Sequence, residues 1–269
     1  MPENGQTIIA VRDVAFGYTC KKTVLEHVSF GVPQGQSLAI LGYNGVGKTT
    51  LFNIIVGLLR PRSGEAVINA NLVPSMQDVF QLSDESNLAA TMTVRENIRF
   101  RAMLMDTGRR NGRQAIDLEH LENEKLVQAF GLTEHLDKKV KELSSGLRKR
   151  AGLVAGMLFE PHVILLDEPT NSVDPITRDL MIDLMEQLSD SGRTILTITH
   201  DLEYCWSVAD RVVILDDRHI AKDMMLDDFQ DFDAFKQAAT LGRTADESVD
   251  FGIRQASGKE AYDEGIVLA

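Results

Sequence analysis

Short apolar runs separated by turns fill the N-terminal quarter of the chain and predict β-strands. They occur at 8–11, 24–32, 37–41 and 65–69. The run at 37–41 is apolar after its first residue, which is typical of a strand buried on both faces of a sheet. Residues 50–56 then continue with the apolar content of a core-facing helix. This stretch therefore predicts several strands with one early helix between them.

From about residue 84 to 160 the pattern becomes helical. Thr93, followed three positions later by Glu96, predicts a capping box at a helix start, and 121–130 has amphipathic spacing. Beyond it, strands predicted at 163–166, 194–199 and 211–215 alternate with helices predicted at 175–188 and 202–209. This alternation predicts an α/β fold with a mostly parallel, helix-covered sheet, an N-terminal antiparallel β layer and a helical subdomain at about 84–160.

Composition narrows the class of protein. The chain has 269 residues, of which 43% are hydrophobic, and a net charge of −12 argues against a nucleic-acid partner, which usually needs a basic face. No apolar run approaches the ~18 residues of a membrane-spanning helix, and the N-terminus lacks the basic start and apolar core of a secretion signal. Cys20 and Cys205 are too few for a disulfide framework, so we expect free thiols in a reducing cytosol.

The C-terminal segment differs from the rest in charge. Residues 221–269 contain 11 acidic and 5 basic side chains. The difference between them accounts for half of the net negative charge of the chain. Phe229, Phe232 and Phe235 recur three apart, which predicts an amphipathic helix packed on the core. The residues that follow are acidic and weakly patterned, and favour a surface-lying or disordered tail, with a regulatory or partner-docking tail as the alternative. We expect one folded domain at 1–220 and an acidic extension beyond it.

A phosphate loop follows the strand at 37–41. Residues 42–49, GYNGVGKT, match the pattern G-x-x-x-x-G-K-[ST] at every fixed position. The glycines let the backbone fold around a triphosphate, so that N–H groups and the helix N-terminus face phosphate oxygens. Lys48 is expected to reach the outer phosphates, and the Thr49 hydroxyl to ligate Mg²⁺. The predicted nucleotide-binding residues of this loop are Gly42, Asn44, Gly45, Gly47, Lys48, Thr49 and Thr50.

Two carboxylates end a second apolar strand. Asp167 and Glu168 follow the run at 163–166, at the carboxyl edge where ligands bind in open α/β sheets. We expect Asp167 to hold Mg²⁺ and Glu168 to polarise an attacking water. A solvated strand end before a proline turn is the alternative, and the phosphate loop upstream argues against it.

With these motifs the chain resembles the nucleotide-binding subunits of ATP-binding cassette (ABC) transporters. The run LSSGLRKR, which begins at Leu143, is similar to the family signature Leu-Ser-Gly-Gly-Gln, with Ser145 and Leu147 at the two positions that depart from it. The resemblance implies that Ser144 and Gly146 cap an ATP bound by a second protomer, in a head-to-tail homodimer or heterodimer. For this element alone, an ordinary helix start with Ser144 as N-cap is the alternative.

The resemblance extends to residues with weaker patterns. His200 is similar to the family's switch histidine, which contacts the γ-phosphate, and Asp174 to a residue of the loop that crosses the dimer interface. Tyr18 is similar to the aromatic residue that stacks on adenine, with a tyrosine packed in the β layer as the alternative. Gln81 is similar to the glutamine that ligates Mg²⁺ and couples the site to the membrane partner, and Gln77 is the alternative for that role.

The resemblance, which covers about residues 7–220, implies an ATPase that uses ATP and Mg²⁺ at the cytoplasmic face of a membrane, with a separate integral membrane subunit as partner. Leu147 followed by a basic run favours an exporter, and an importer subunit is the alternative. A soluble cassette ATPase of translation or DNA repair and a module that binds ATP without hydrolysis are further candidates. The chain lacks the tandem cassettes or long coiled coils usual in the former, while Glu168 and His200 argue against the latter.

Overall fold

Nine β-strands form two sheets in the part of the chain that the computed structural model describes, which is residues 7–19, 22–73, 75–83, 87–105 and 116–242. Cys20 and the predicted tail from 243 onward lie outside these residues. The strands are β1 (Thr7–Phe16), β2 (Leu25–Pro33), β3 (Ser37–Leu41), β4 (Ser63–Ile68), β5 (Val79–Leu82), β6 (Val163–Asp167), β7 (Thr194–Thr199), β8 (Arg211–Asp216) and β9 (His219–Met225).

The larger sheet has six strands in the order β5-β6-β7-β3-β8-β9. All neighbours pair in parallel except β8 and β9, which form an antiparallel hairpin. Every residue of β3, β6 and β7 is buried, as expected for parallel strands covered on both faces. The smaller sheet is antiparallel in the order β2-β1-β4. The predicted fold class, a mostly parallel core sheet with an antiparallel β layer, is confirmed.

Seven α-helices lie among the described residues and cover the large sheet. They are α1 (Lys48–Ile55), α2 (Val94–Leu104), α3 (Lys125–Ala129), α4 (Ser145–Met157), α5 (Pro175–Asp190), α6 (Leu202–Val208) and α7 (Phe232–Ala239). The core divides between the two faces of β6. Val163 and Leu165 join the cluster that contains α1 and the β layer, whereas Ile164 and Leu166 join the cluster formed with α2, α4 and α5.

The helical subdomain begins as predicted and then departs from prediction. Thr93 and Glu96 form a reciprocal capping box at the start of α2. The helix predicted at 121–130 is instead a 3₁₀ turn at Leu121–Asn123 followed by the short α3. Glu124, between the two, has an extended backbone and accepts a hydrogen bond from the N–H of Asp117 at 3.2 Å. Its backbone conformation interrupts the helix that the apolar spacing alone predicts.

The large sheet and its packing continue past residue 220. Strand β9 spans that position, and α7 packs on α6 and β8 through a cluster that contains Cys205, Ile214 and Phe235. Burial raises the pKa of the Cys205 thiol, as expected for an unreactive core cysteine. The three regularly spaced phenylalanines do pack on this core, although Phe229 precedes α7 rather than lying on it.

Candidate active site

The phosphate loop connects β3 to α1 beside the end of β8. A side chain at Gly42 would lie 2.6 Å from the Leu215 carbonyl oxygen, so only glycine fits. Gly45 and Gly47 have φ values of 83° and 114°, in the left-handed region that disfavours other residues. Gly47 is the N-cap residue of α1 and provides no side-chain cap, so the first N–H groups of the helix point into the loop. The local geometry therefore suits an anion such as a phosphate.

Side chains of this loop divide between the protein interior and its surface. Lys48 is buried, and its Nζ donates to the Gly42 carbonyl at 2.6 Å. Asn44 and Thr49 are exposed, which leaves the Thr49 hydroxyl accessible to a metal ion. Thr50 is buried and its hydroxyl lies 3.1 Å from that of Tyr18, so Thr50 links α1 to the β layer.

Tyr18 lies beside the start of α1. The residue is 62% exposed, and its ring meets that of Phe16 edge-on, with ring centroids 5.1 Å apart. The hydrogen bond to Thr50 fixes its hydroxyl end near the phosphate loop. Tyr18 is therefore exposed at the surface beside the phosphate loop, with its ring in edge contact with the β layer.

Glu168 occupies the centre of the candidate site, directly after Asp167 at the end of β6. Its two carboxylate oxygens face different partners: Oε1 lies 3.7 Å from Lys48 Nζ, and Oε2 lies 3.0 Å from His200 Nδ1. Asp167 is buried on the α1 face of the sheet, the same face as Leu165. The structure therefore brings together four predicted residues from three separate segments.

The loop after β7 positions His200. Asp201, the next residue, caps α6 by accepting from the Tyr204 N–H at 2.9 Å. It also accepts from the Arg178 guanidinium at 3.0 Å and from the Thr170 hydroxyl at 3.1 Å. Burial alone would raise the pKa of Asp201, but these hydrogen bonds outweigh it and lower that pKa below its usual value.

The signature lies at the start of α4 and its contacts are with its own helix and the segment before α5. Ser144 is the N-cap and accepts from the Leu147 N–H at 3.3 Å, while Gly146 faces the Ser172 carbonyl. Both are accessible enough for contact with another molecule. Ser144 therefore caps the helix, and the N-terminus of the helix is accessible at the protein surface.

Asp174 is engaged within its own chain. It caps α5, accepting from the Thr177 hydroxyl at 2.7 Å and from the Thr177 N–H at 3.0 Å, and it pairs with Arg150 of α4. These contacts, led by the Thr177 hydroxyl, lower the pKa of Asp174 well below its usual value. Asp174 therefore joins α5 to the signature helix.

The two candidate coupling glutamines lie in different surroundings. Gln81 is in β5, level with Leu165 of β6, and its side chain alternates with the buried Phe80 and Leu82. It therefore lies on the α1 face of the sheet, as Asp167 does. Gln77 lies in a 3₁₀ turn before β5 and donates to the Leu104 carbonyl at 2.8 Å, at the end of α2.

Lys149 is a residue of this site that the motifs did not single out. It lies on α4 and is 4% exposed, and its Nζ donates to the carbonyl oxygens of Glu168 at 2.5 Å and Asn171 at 3.0 Å. The sequence pattern does not distinguish it from Arg148 and Arg150, because every residue from Ala151 to Met157 is buried and each of the three basic residues shares a helical face with some of them.

The motifs that form this site match a known protein family. A family model described as "ABC transporter" matches residues 25–171, which include the phosphate loop, the signature and the Asp-Glu pair. The chain belongs to the ABC transporter family. The chain is therefore an ABC ATPase, which binds and hydrolyses ATP.

Similar proteins extend the comparison. The taurine import ATP-binding protein TauB of Roseobacter denitrificans is 34% identical over 196 residues, which are 71% of this chain and 69% of TauB. Other relatives are named for import of aliphatic sulfonates and of methionine, and one for linearmycin resistance.

Solved structures share the fold. One described as the ATP-binding subunit of an ABC transporter is 27% identical, with a TM-score of 0.72 over 89% of this chain and 95% of that chain. A dimeric ATP-binding cassette in a post-hydrolysis state with ADP and Pi is 21% identical, with a TM-score of 0.69 over 81% of this chain and 98% of that chain. At that identity the second shows the fold alone.

None of the helices among the described residues is long and apolar enough to cross a bilayer. The same residues contain no group of three or more His, Cys, Asp or Glu side chains placed to hold a metal ion. A Mg²⁺ ion bound with ATP needs only one or two protein ligands, because the phosphates and water supply the rest, and Thr49 and Asp167 fit that requirement.

Proposed function

We propose that this ABC ATPase hydrolyses ATP with Glu168 as the residue that activates water, and that the energy drives a membrane transporter. The observation that carries the proposal is the position of the Glu168 carboxylate between Lys48 and His200. In this arrangement Lys48 binds the outer phosphates, and the N–H groups of the loop bind the remaining phosphate oxygens.

The chemical step is attack of water on the γ-phosphorus with cleavage of the bond to the β–γ bridging oxygen. Glu168 orients the water and accepts its proton, while His200 holds the carboxylate from the other side and contacts the γ-phosphate. Mg²⁺, when bound, neutralises charge on the β- and γ-phosphates. Thr49 and Asp167 would hold it, with Gln81 as the proposed third contact, and Tyr18 would stack on the adenine.

The signature supports a composite site in a dimer. Ser144 and Gly146 present a hydroxyl and helix N–H groups at the surface, and such groups bind anions. We infer that they close over ATP held by a second subunit, either a copy of this chain or a related one. Asp174, which pairs with Arg150 of the signature helix, is the residue that we assign to the loop crossing that interface.

An exposed apolar face on α2 is the proposed contact with the membrane subunit. Phe100, Met103 and Leu104 are 50%, 79% and 61% exposed and lie at i, i+3 and i+4 on one side of the helix. Gln77 bonds the end of this helix directly before β5, the strand that carries Gln81. The face is therefore connected to the nucleotide site, and its occupancy would hold the protein at the cytoplasmic side of a membrane.

The direction of transport follows the relatives rather than the signature. The exporter favoured by Leu147 has little support among the relatives named above, several of which are named for import. The importer alternative fits them, and we propose it in place of the exporter. The cargo belongs to the membrane subunit, so the relatives' substrates are not assigned to this chain.

The decisive experiment is replacement of Glu168 by glutamine. Glu168→Gln should bind ATP, accumulate as a dimer with Mg-ATP, and release phosphate about 10²-fold or more slowly, because the water loses its base. Phosphate release and light scattering after gel filtration measure the two effects. Glu186→Gln, an exposed change on α5, is the control and should match the wild type. Unchanged turnover in Glu168→Gln would remove this residue from its role, and a monomer in Mg-ATP would contradict the composite site.

A further inference from the structure

The ammonium group of Lys149 binds two backbone carbonyl groups. Its side chain is nearly fully buried, and it donates to the carbonyls of Glu168 at 2.5 Å and Asn171 at 3.0 Å. Burying a charged group costs free energy unless hydrogen bonds compensate, and an ammonium has three N–H donors to place. The side chain therefore holds the path of the main chain at the turn after β6.

That turn has a conformation that needs support. Glu168 has φ 47°, in the left-handed region, which strains the backbone of a non-glycine residue. Its N–H donates to the Ile198 carbonyl at 2.8 Å, and its own carbonyl accepts from Lys149 at 2.5 Å and from the Asn171 N–H at 3.2 Å. The direction of the Glu168 side chain, toward Lys48 and His200, follows from this backbone conformation. Without Lys149 the shortest of these three hydrogen bonds is lost, and the Asn171 carbonyl loses its bond to the ammonium as well.

The same helix carries the signature. Lys149 follows Ser144 by five residues, so the two are separated by about 7.5 Å along α4. Under the function proposed above, Ser144 contacts ATP in the partner's phosphate loop, whereas Glu168 acts on ATP in its own. Lys149 thus links the helix that closes one site to the backbone of the residue whose carboxylate acts in the other.

We propose that Lys149 is a positioning residue that sets the Glu168 carboxylate through its backbone and couples it to closure of the signature helix on the partner's ATP. This inference rests on the proposed function, and it assigns to the basic run after the signature a role inside the catalytic site. We expect ATP binding to survive the loss of Lys149, because Glu168 and Asn171, whose carbonyls it binds, lie outside the phosphate loop.

The first test separates catalysis from binding. Lys149→Met keeps the length and packing of the side chain but has no donor, so kcat should fall about 10–100-fold, as small misplacements of catalytic groups do, while KM for ATP stays within about threefold. Lys149→Gln, which retains an N–H donor, should recover part of kcat. Lys141→Met, an exposed lysine ahead of α4, is the control and should leave both constants unchanged. A kcat unchanged in Lys149→Met, or a loss confined to KM, would overturn the proposal.

The second test asks whether Lys149 acts through Glu168. In the Glu168→Gln background, adding Lys149→Met should slow hydrolysis little further, because the group that it positions is already gone. The double variant should still melt near the wild-type temperature and dimerise with Mg-ATP. If the reductions in hydrolysis rate from the two substitutions multiply in the double variant, Lys149 has a general structural effect, which would contradict the proposal. If Glu168→Gln alone fails to dimerise, the proposed function fails instead, so the two failures are distinguishable.

Discussion

At the scale of single residues, the site depends on charged groups held by several partners at once. Apart from the proposed catalytic residues Glu168 and His200, Asp201 is the clearest case. It caps α6, binds Arg178 of α5 and accepts from Thr170, beside the loop that carries His200. Each contact stabilises the ionised carboxylate, so the charge state of one residue fixes the relative position of three segments.

Replacing Asp201 by asparagine should reveal this charge as a pH-dependent stability. Asparagine also caps helices, so the change removes mainly the ion pair with Arg178 and should cost about 1–2 kcal/mol at pH 7. The pKa of Asp201 is lower in the folded state than the ~3.9 of an unfolded aspartate. Its contribution is therefore full above that pH and is lost as pH falls through the folded pKa.

Urea unfolding at pH 7 and near pH 3 measures that difference. Glu203→Gln is the matched control, because Glu203 also approaches Arg178, at 3.4 Å, but is mostly exposed, and it should cost less than about 0.5 kcal/mol. A destabilisation by Asp201→Asn that is equally large at both pH values would show that the ion pair is not its origin.

The sequence predicted the parts of the site whose residues are close together in the chain, and missed a contact between residues that are far apart in it. Lys48 and Thr49 belong to a short contiguous motif, in which the order of residues determines the shape of the loop. The motif alone was therefore sufficient to predict their positions. Lys149 contacts Glu168 across a helix and a strand, and the neighbouring Arg148 and Arg150 carry the same charge. Only the register of α4 on the sheet decides which of the three points inward.

At the scale of elements, α4 packs on β5 through a glycine. A methyl group at Gly156 would overlap the ring of Phe80, which is buried and lies under the Arg101 guanidinium at 5.4 Å. The ring has little room in which to move. This close approach sets the distance between the signature helix and the strand that carries Gln81.

Substitution of Gly156 by alanine should therefore destabilise the fold. Alanine normally favours a helix interior over glycine by about 0.5–1 kcal/mol, but overpacking against Phe80 should reverse the sign and cost about 1–3 kcal/mol. Thermal unfolding measures the change. Gly146→Ala in the same helix meets only an ordinary 3.6 Å contact and should not lower stability, although it should lower ATPase activity. Equal melting temperatures for the two variants would contradict this packing argument.

Element boundaries were less predictable than element types. Strands at the centre of the sheet matched their predicted ranges closely, because burial on both faces makes them apolar throughout. The segment at 121–130 has the apolar spacing of one helix, although its helical structure is interrupted at Glu124. Burial of Leu121 and Val127 satisfies the pattern with or without a continuous helix, so the pattern could not distinguish the two.

At the scale of the whole molecule, the apolar face of α2 is exposed and available to a partner. Serine at Phe100 and Met103 should leave the melting temperature and ATP binding unchanged, since both residues are exposed, but should abolish co-purification with an integral membrane subunit in detergent. Mass spectrometry of the purified complex identifies that subunit by its membrane-spanning segments. Leu58→Ser, at another exposed leucine, is the control and should keep the complex intact.

The outcome also decides between a transporter subunit and a soluble ATPase. If the wild-type protein purifies from native membranes without any integral membrane subunit and is fully active, the transport proposal fails. The sequence could predict this partner only through family resemblance, because exposure of an apolar residue depends on what the fold leaves uncovered. Apolar spacing alone does not separate Met103 from a core residue.

Strand β9 has a consequence for how the protein behaves in solution. It is the last strand of the large sheet, and its side chains alternate between exposed and half-buried, with Lys222 and Asp223 in its middle. Charged edge strands resist pairing with strands of other molecules. A chain shortened at residue 218 would instead offer β8, whose four central residues are all buried and apolar, as a bare edge. Such a chain would retain every proposed ATP-site residue and still aggregate edge to edge, so the start of the acidic extension acts as protection against aggregation.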